Sequence, residues 1–207
     1  MRDTEKETEL SALPNVVKLK LDISEPLQIQ DVVEKFLSGE QVDVVFNNAG
    51  YLLAGPMEGI TDEQLVSQIT TNLLGPIRVT QVFIPHFREK KGGLFINTTS
   101  MSALIASPFM SVYSASKAGL EHWSFAMNLE LGKFGIRVKT IIPGISKTNL
   151  LSNADKASSV PYTEFMNKVL STFTGPEILT IAFTPEDIAK VVFEAATTPV
   201  VAGILLD

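Results

Sequence analysis

Val42-Asp43-Val44-Val45-Phe46-Asn47-Asn48-Ala49-Gly50 decides the fold. Its first half is a β-branched apolar run the length of one buried strand, and it breaks at two amides followed by Ala-Gly. Working outward, LFINTTS (94–100) and RVKTIIP (137–143) read as further buried strands, while VVKLKLD (16–22) alternates apolar and polar like a half-buried one. Amphipathic stretches near 26–38, 62–90, 110–134, 162–172 and 185–197 predict helices. Thr184-Pro185-Glu186-Asp187 is a helix start, with a hydroxyl cap, Pro at the first position and acids in the first turn. A weaker strand, VVAGILL, closes the chain. Buried strands alternating with helices make parallel βαβ units, and hence an open α/β sheet.

Composition narrows the function. The chain has 207 residues, 45% of them hydrophobic, enough for one domain over residues 1–207 with its own core. With no cysteine there is no disulfide framework, thiolate metal site or Cys nucleophile. The two histidines, His86 and His122, are far apart, so no metal centre is expected. The net charge is −6, and the longest basic run is the pair Lys90–Lys91, which argues against nucleic acid as a partner. No apolar stretch is long enough to span a membrane. The start, MRDTEKETEL, has no apolar core of a signal peptide. The expected compartment is the cytoplasm.

In open α/β sheets ligands bind beyond the carboxyl ends of the strands. Attention therefore falls on Asp22-Ile23, Asn47 to Gly50, Ser100 and Pro143-Gly144. Tyr113 and Lys117 stand i, i+4 on one helix face, where an ammonium beside a phenol would lower the phenol's pKa and make the pair a general acid/base. Ser100 ends a strand from which its hydroxyl faces the same cleft. Asn72 lies within a helix, where Asn has poor propensity and competes for backbone groups. Asn48, Ala49 and Gly50 let a ligand approach the backbone closely. The bland counterparts are a chance Tyr/Lys spacing, a capping serine, a solvent-facing asparagine and a plain tight turn.

Taken together, NNAG (47–50), Asn72, Ser100, Tyr113-x-x-x-Lys117 and PGISKT (143–148) resemble in order and spacing the short-chain dehydrogenase/reductase family, over roughly Leu19 to Asp187. The resemblance implies a doubly wound, Rossmann-like parallel sheet of strand order 3-2-1-4-5-6-7. It also implies an NAD(P)-dependent oxidoreductase that interconverts a secondary alcohol and a ketone by hydride transfer. Tyr113 would protonate the carbonyl oxygen. Lys117 would lower the tyrosine's pKa and hold the nicotinamide ribose. Ser100 would bond the substrate oxygen, and Asn72 would fix a water that relays protons to Lys117. Asp22 and Ile23 match the adenine-contacting pair, and Asn48, Ala49 and Gly50 the adenosine ribose side. Pro143, Gly144, Ile145 and Thr148 match the loop that grips carboxamide and phosphates. Arg2, beside the position that reads the ribose 2′ group, favours NADP, with NAD as the alternative.

Two departures stand beside that match. No glycine precedes Gly39, and no Thr-Gly-x-x-x-Gly-x-Gly or Gly-x-Gly-x-x-Gly loop occurs anywhere in the sequence. The expectation is that strand 1, helix A and most of strand 2, roughly 35–40 residues, are missing. VVKLKLD would then lack its neighbour, and the chain as written would be inactive. A cofactor-free binding or scaffold protein of the same fold is the competing reading, and a nucleotide-sugar epimerase a third that NNAG and PGxxxT disfavour. The segment 149–180, with Leu150, Leu151, Phe165, Met166, Leu170 and Phe173, matches the family's substrate loop, and Leu52, Leu53, Met101 and Leu104 extend an apolar wall. The substrate expected is a small-molecule alcohol or ketone with apolar bulk. Apolar residues on more than one face of the helices near 62–90 and 110–134 (Phe83, Ile84, Phe87; Trp123, Phe125, Met127) point to a homodimer or homotetramer.

Overall fold

The computed structural model describes residues 4–5, 9–198 and 204–205. In chain order its elements are α1 (Pro26–Leu37), β1 (Val44–Asn47), β2 (Leu53–Ala54), α2 (Asp62–Ile69), α3 (Gly75–Glu89), β3 (Gly93–Thr98), α4 (Ser111–Leu131), β4 (Ile136–Ile142), β5 (Asp155–Lys156), α5 (Thr163–Thr174), α6 (Pro176–Ile181), α7 (Pro185–Thr197) and β6 (Ile204–Leu205). β1, β3, β4 and β6 form a parallel sheet in the order β1-β3-β4-β6, with Val45 opposite Phe95, Asn97 opposite Thr140 and Ile141 opposite Ile204. β2 and β5 form a separate parallel pair.

Helices cover both sheet faces, as expected of a doubly wound α/β fold. On one face Val79, Phe83 and Phe87 of α3 meet Val45, Phe95 and Val138 of the strands. Phe87 and Phe95 are fully buried with ring centroids 4.8 Å apart, each worth about 1.5–3 kcal/mol of burial. Gly93 makes room for this contact, since a methyl there would fall inside the Phe87 ring. On the other face Ala195 of α7 packs on Ile96 and Ile141.

The helix predicted near 62–90 is interrupted. Thr61 caps α2 in a reciprocal box with Gln64, then Thr70–Leu74 widens into a π-turn before α3. Pro76 has no N–H to return to the carbonyl of Asn72 four residues back, so the α-ladder cannot run through. The strand predicted at 16–22 does not form. Among the described residues no strand is paired along it. Its Leu21 packs against the core while Val17 stays 69% exposed. Among the described residues β1 pairs only with β3, so its other edge is open. Of VVAGILL, Ile204–Leu205 pairs with β4, and the remainder lies outside the described residues.

Candidate active site

A cavity of about 680 Å³ opens at the carboxyl ends of β1, β3 and β4. Its lining includes Asn48 and Gly50 after β1, Thr98 at the end of β3 and Thr99 to Ser102 after it, Tyr113 and Lys117 on α4, and Pro143, Gly144, Ile145 and Thr148 after β4. Parallel strands place these ends together, so residues distant in sequence converge. Beneath the site, a buried polar row fixes the strands against one another. Asn47 Nδ2 donates to Asn97 Oδ1 (2.8 Å), and Asn97 Nδ2 donates to Ser124 Oγ (2.8 Å), tying β1 to β3 and β3 to α4. Satisfied buried amides of this kind hold one register.

Tyr113 and Lys117 occupy successive turns of α4, and both are buried. The Tyr113 hydroxyl and Ser100 share the cavity wall, and Ser100 Oγ accepts from Ser102 N (3.1 Å). Ser100 thus caps the turn after β3 and also lines the cavity. Lys117 Nζ donates to the Thr98 carbonyl (2.7 Å), and burial lowers its pKa to about 8. Burial raises the Tyr113 pKa above its ordinary 10, with the Ser100 hydroxyl opposing. This corrects the expectation that the ammonium lowers it, because Lys117 is turned onto Thr98 and desolvation of the phenolate dominates.

Asn72 is fully buried rather than solvent-facing. Its Oδ1 accepts from Tyr51 N (3.1 Å) and its Nδ2 donates to Tyr51 O (2.9 Å) and Ser116 Oγ (3.3 Å). Gly50 needs its missing side chain: a methyl there would come 3.1 Å from Asn72 Oδ1 and 3.6 Å from Lys117 Nζ. One small space thus sees the carboxamide, the ammonium and bare backbone.

Other predicted residues fall outside the cavity. Asp22 accepts from Ser24 N (3.0 Å) and Ser24 Oγ (2.7 Å) in a local turn before α1. Ile23 packs against Gly75 at the start of α3. Ala49 is not among the lining residues, and Arg2 lies outside the described residues. Of the expected apolar wall, Leu52, Met101, Leu150, Leu151 and Phe173 line the cavity. Leu53 and Met166 are buried elsewhere and Leu104 is exposed, while Phe165 turns edge-on to Phe109 (5.2 Å). Leu170 is also outside the lining. Sequence reasoning passed over Ile105, Met110 and Ile188, which complete the wall. It also passed over Gln68, whose spacing four residues before Asn72 was the available signal.

Known proteins resemble this chain both in sequence and in fold. A family model for short chain dehydrogenase matches residues 3–159. An uncharacterized oxidoreductase of Schizosaccharomyces pombe is 32% identical over 95% of this chain and 84% of its own length. Human 17-beta-hydroxysteroid dehydrogenase type 2 is 35% identical over 69% of this chain, which spans 38% of that protein. Among solved structures, a short-chain dehydrogenase from Streptomyces avermitilis superposes with a TM-score of 0.83 at 27% identity, covering 96% of this chain and 73% of that one. ElxO, solved with NADP bound, shares the fold at a TM-score of 0.74 and 21% identity, covering 91% and 75%.

Proposed function

The chain belongs to the short-chain dehydrogenase family, and from that premise we propose that it interconverts a secondary alcohol and a ketone bearing apolar bulk, with Tyr113 as the general acid/base. The observation that carries this reading is that Tyr113, one helical turn from Lys117, and Ser100 share the wall of a largely apolar cavity. The nicotinamide end of a dinucleotide fits the residues present. Gly50 leaves a gap that a Cβ would fill between Asn72 and Lys117, while Asn48, Pro143, Gly144, Ile145 and Thr148 surround the same opening. A bound nicotinamide cofactor would supply or accept the hydride. NADP is the choice adopted, on Arg2, with NAD as the alternative. For Arg2, Asp22, Ile23 and Ala49 an adenosine-side role rests on the sequence motif alone.

The protein's own groups handle the proton. With its pKa raised, the Tyr113 phenol stays protonated at neutral pH and can donate to a carbonyl oxygen as negative charge develops there. Ser100 offers a second hydrogen bond to that oxygen. Lys117, an ammonium below about pH 8, would bond a ribose hydroxyl of the cofactor and return a proton towards the phenolate left behind. Asn72 joins this path through a water, the role proposed from the motif. Oxidation of the alcohol needs the phenolate instead, so its rate should climb with pH where reduction does not. The proposal retains the cytoplasm as compartment; among the described residues no helix is long and apolar enough to cross a membrane.

The test is reduction of a panel of apolar ketones by the full-length gene product with NADPH and, separately, NADH. Lys117→Ala should weaken both turnover and NADPH affinity, since one ammonium serves both. Unchanged NADPH affinity in Lys117→Ala would remove the ribose role, and equal kcat/KM for the two cofactors would remove the preference for NADP.

A further inference from the structure

Gln64, Gln68 and Asn72 recur every four residues along α2 and its π-turn, and all three carboxamides are engaged. Gln68 is the deepest, with no solvent exposure. Its Oε1 accepts from Leu53 N (2.6 Å) and its Nε2 donates to Tyr51 O (3.0 Å). Asn72 takes Tyr51 N and shares Tyr51 O. On the other side of the same segment β5 supplies backbone bonds, from Asp155 N to Leu52 O (2.9 Å) and from Ala157 N to Ala54 O (2.9 Å). Residues 51–54 are therefore held as a strand between one real strand and two side-chain amides. Gln64, already committed to its cap, extends Nε2 to Asp155 Oδ1 (2.9 Å), so α2 grips both members of the β2–β5 pair.

This matters because of what residues 51–54 carry. Tyr51 and Leu52 line the cavity, and Leu52 packs with Met110, Tyr113, Leu151 and Phe173. We propose that Gln68 is a positioning residue that fixes the Tyr51–Leu53 wall against Tyr113 and so determines which ketone sizes fit, with the Gln64–Asp155 bond tying the segment after Leu150 to the same helix. An apolar side chain at 68 would fill the space but leave Leu53 N buried without an acceptor. Gln68 touches no reacting atom and acts through Leu52. The size-selection part rests on the reading of the cavity as a ketone site.

Hydrogen–deuterium exchange on the full-length protein tests the positioning without any substrate. Gln68→Met keeps the volume and removes both bonds, Gln68→Glu keeps only the acceptor, and Asp155→Ala cuts only the tie from Gln64. Gln68→Met should speed exchange at 51–54 and 155–157 at least ~5-fold with 95–97 unchanged, as local rather than global opening does. Gln68→Glu should fall between it and the parent, and reads the same effect if the Met variant fails to fold. Asp155→Ala should act on 155–157 alone. No change at 51–54, or a rise equal to that in β3, would overturn the proposal. The kinetic arm compares cyclohexanone with a steroid ketone: Gln68→Met should move the ratio of their kcat/KM values at least ~5-fold, chiefly through KM. An unmoved ratio would overturn size selection. If the parent reduces neither ketone the reading of the site fails instead, while exchange still decides the positioning.

Discussion

At the scale of single residues, Lys117 shows what the site costs the fold. The unfolded chain keeps that proton up to about pH 10.5, whereas the folded chain releases it near 8. Between those values the unfolded state binds more protons, so stability from this group rises with pH across that window. Below pH 8 the buried charge costs about 3 kcal/mol, at about 1.4 kcal/mol for each pKa unit. Lys117→Met should therefore be more stable than the parent at pH 7.5, with the difference closing towards pH 10.5; denaturant titrations at both pH values check this. A parent already as stable as the variant at pH 7.5 would mean the ammonium is not held at a loss. Tyr113, Lys117 and Ser100 were legible in the sequence because helical spacing and strand ends place side chains without knowledge of packing. Their electrostatics were not: which group Lys117 faces depends on the Thr98 carbonyl, and only the folded chain brings that oxygen to the ammonium.

At the scale of elements, end signals were the most readable. Thr184 is the hydroxyl cap that the sequence announced, with Oγ1 accepting from Asp187 N (3.2 Å), and Asp187 makes it reciprocal, its Oδ2 accepting from Thr184 N (3.0 Å). Thr184→Ala should cost about 1 kcal/mol and lower Tm by roughly 2–4 °C, with Thr184→Ser close to the parent. Calorimetry decides; an unchanged Tm would show that packing of α7 on β3 and β4 alone sets its start. The π-turn at Thr70–Leu74 was not read, although Gly75-Pro76 marked the place, because periodicity near 3.6 hardly registers one extra residue. VVKLKLD shows the opposite failure. Its alternation is genuine, but pairing into a sheet depends on a partner strand in register, which the pattern itself does not specify.

For the whole molecule, strand–helix alternation was enough to give the α/β class, since each parallel connection needs its crossover helix. Surface assembly was less legible. Of the residues taken to show more than one apolar face, Phe83 and Phe87 belong to the core, and Ile84 and Met127 pack against it. The large apolar side chains that α4 leaves to solvent are Phe125 and Leu129, the latter 82% exposed. A homo-oligomer would cover them. Light scattering of the full-length protein at micromolar concentration should give at least a dimer, and Leu129→Glu should dissociate it; a monomer in the parent removes the expectation.

The proposed reaction rests on Tyr113 being the group that moves the proton. The most direct measurement is kcat of Tyr113→Phe beside that of the parent, with NADPH affinity followed by fluorescence in the same preparations. Loss of the hydroxyl alone should lower kcat by at least ~10²-fold, as removal of a general acid does, while NADPH binding stays largely intact. A Tyr113→Phe protein that reduces the ketone at the parent's rate would contradict the assignment.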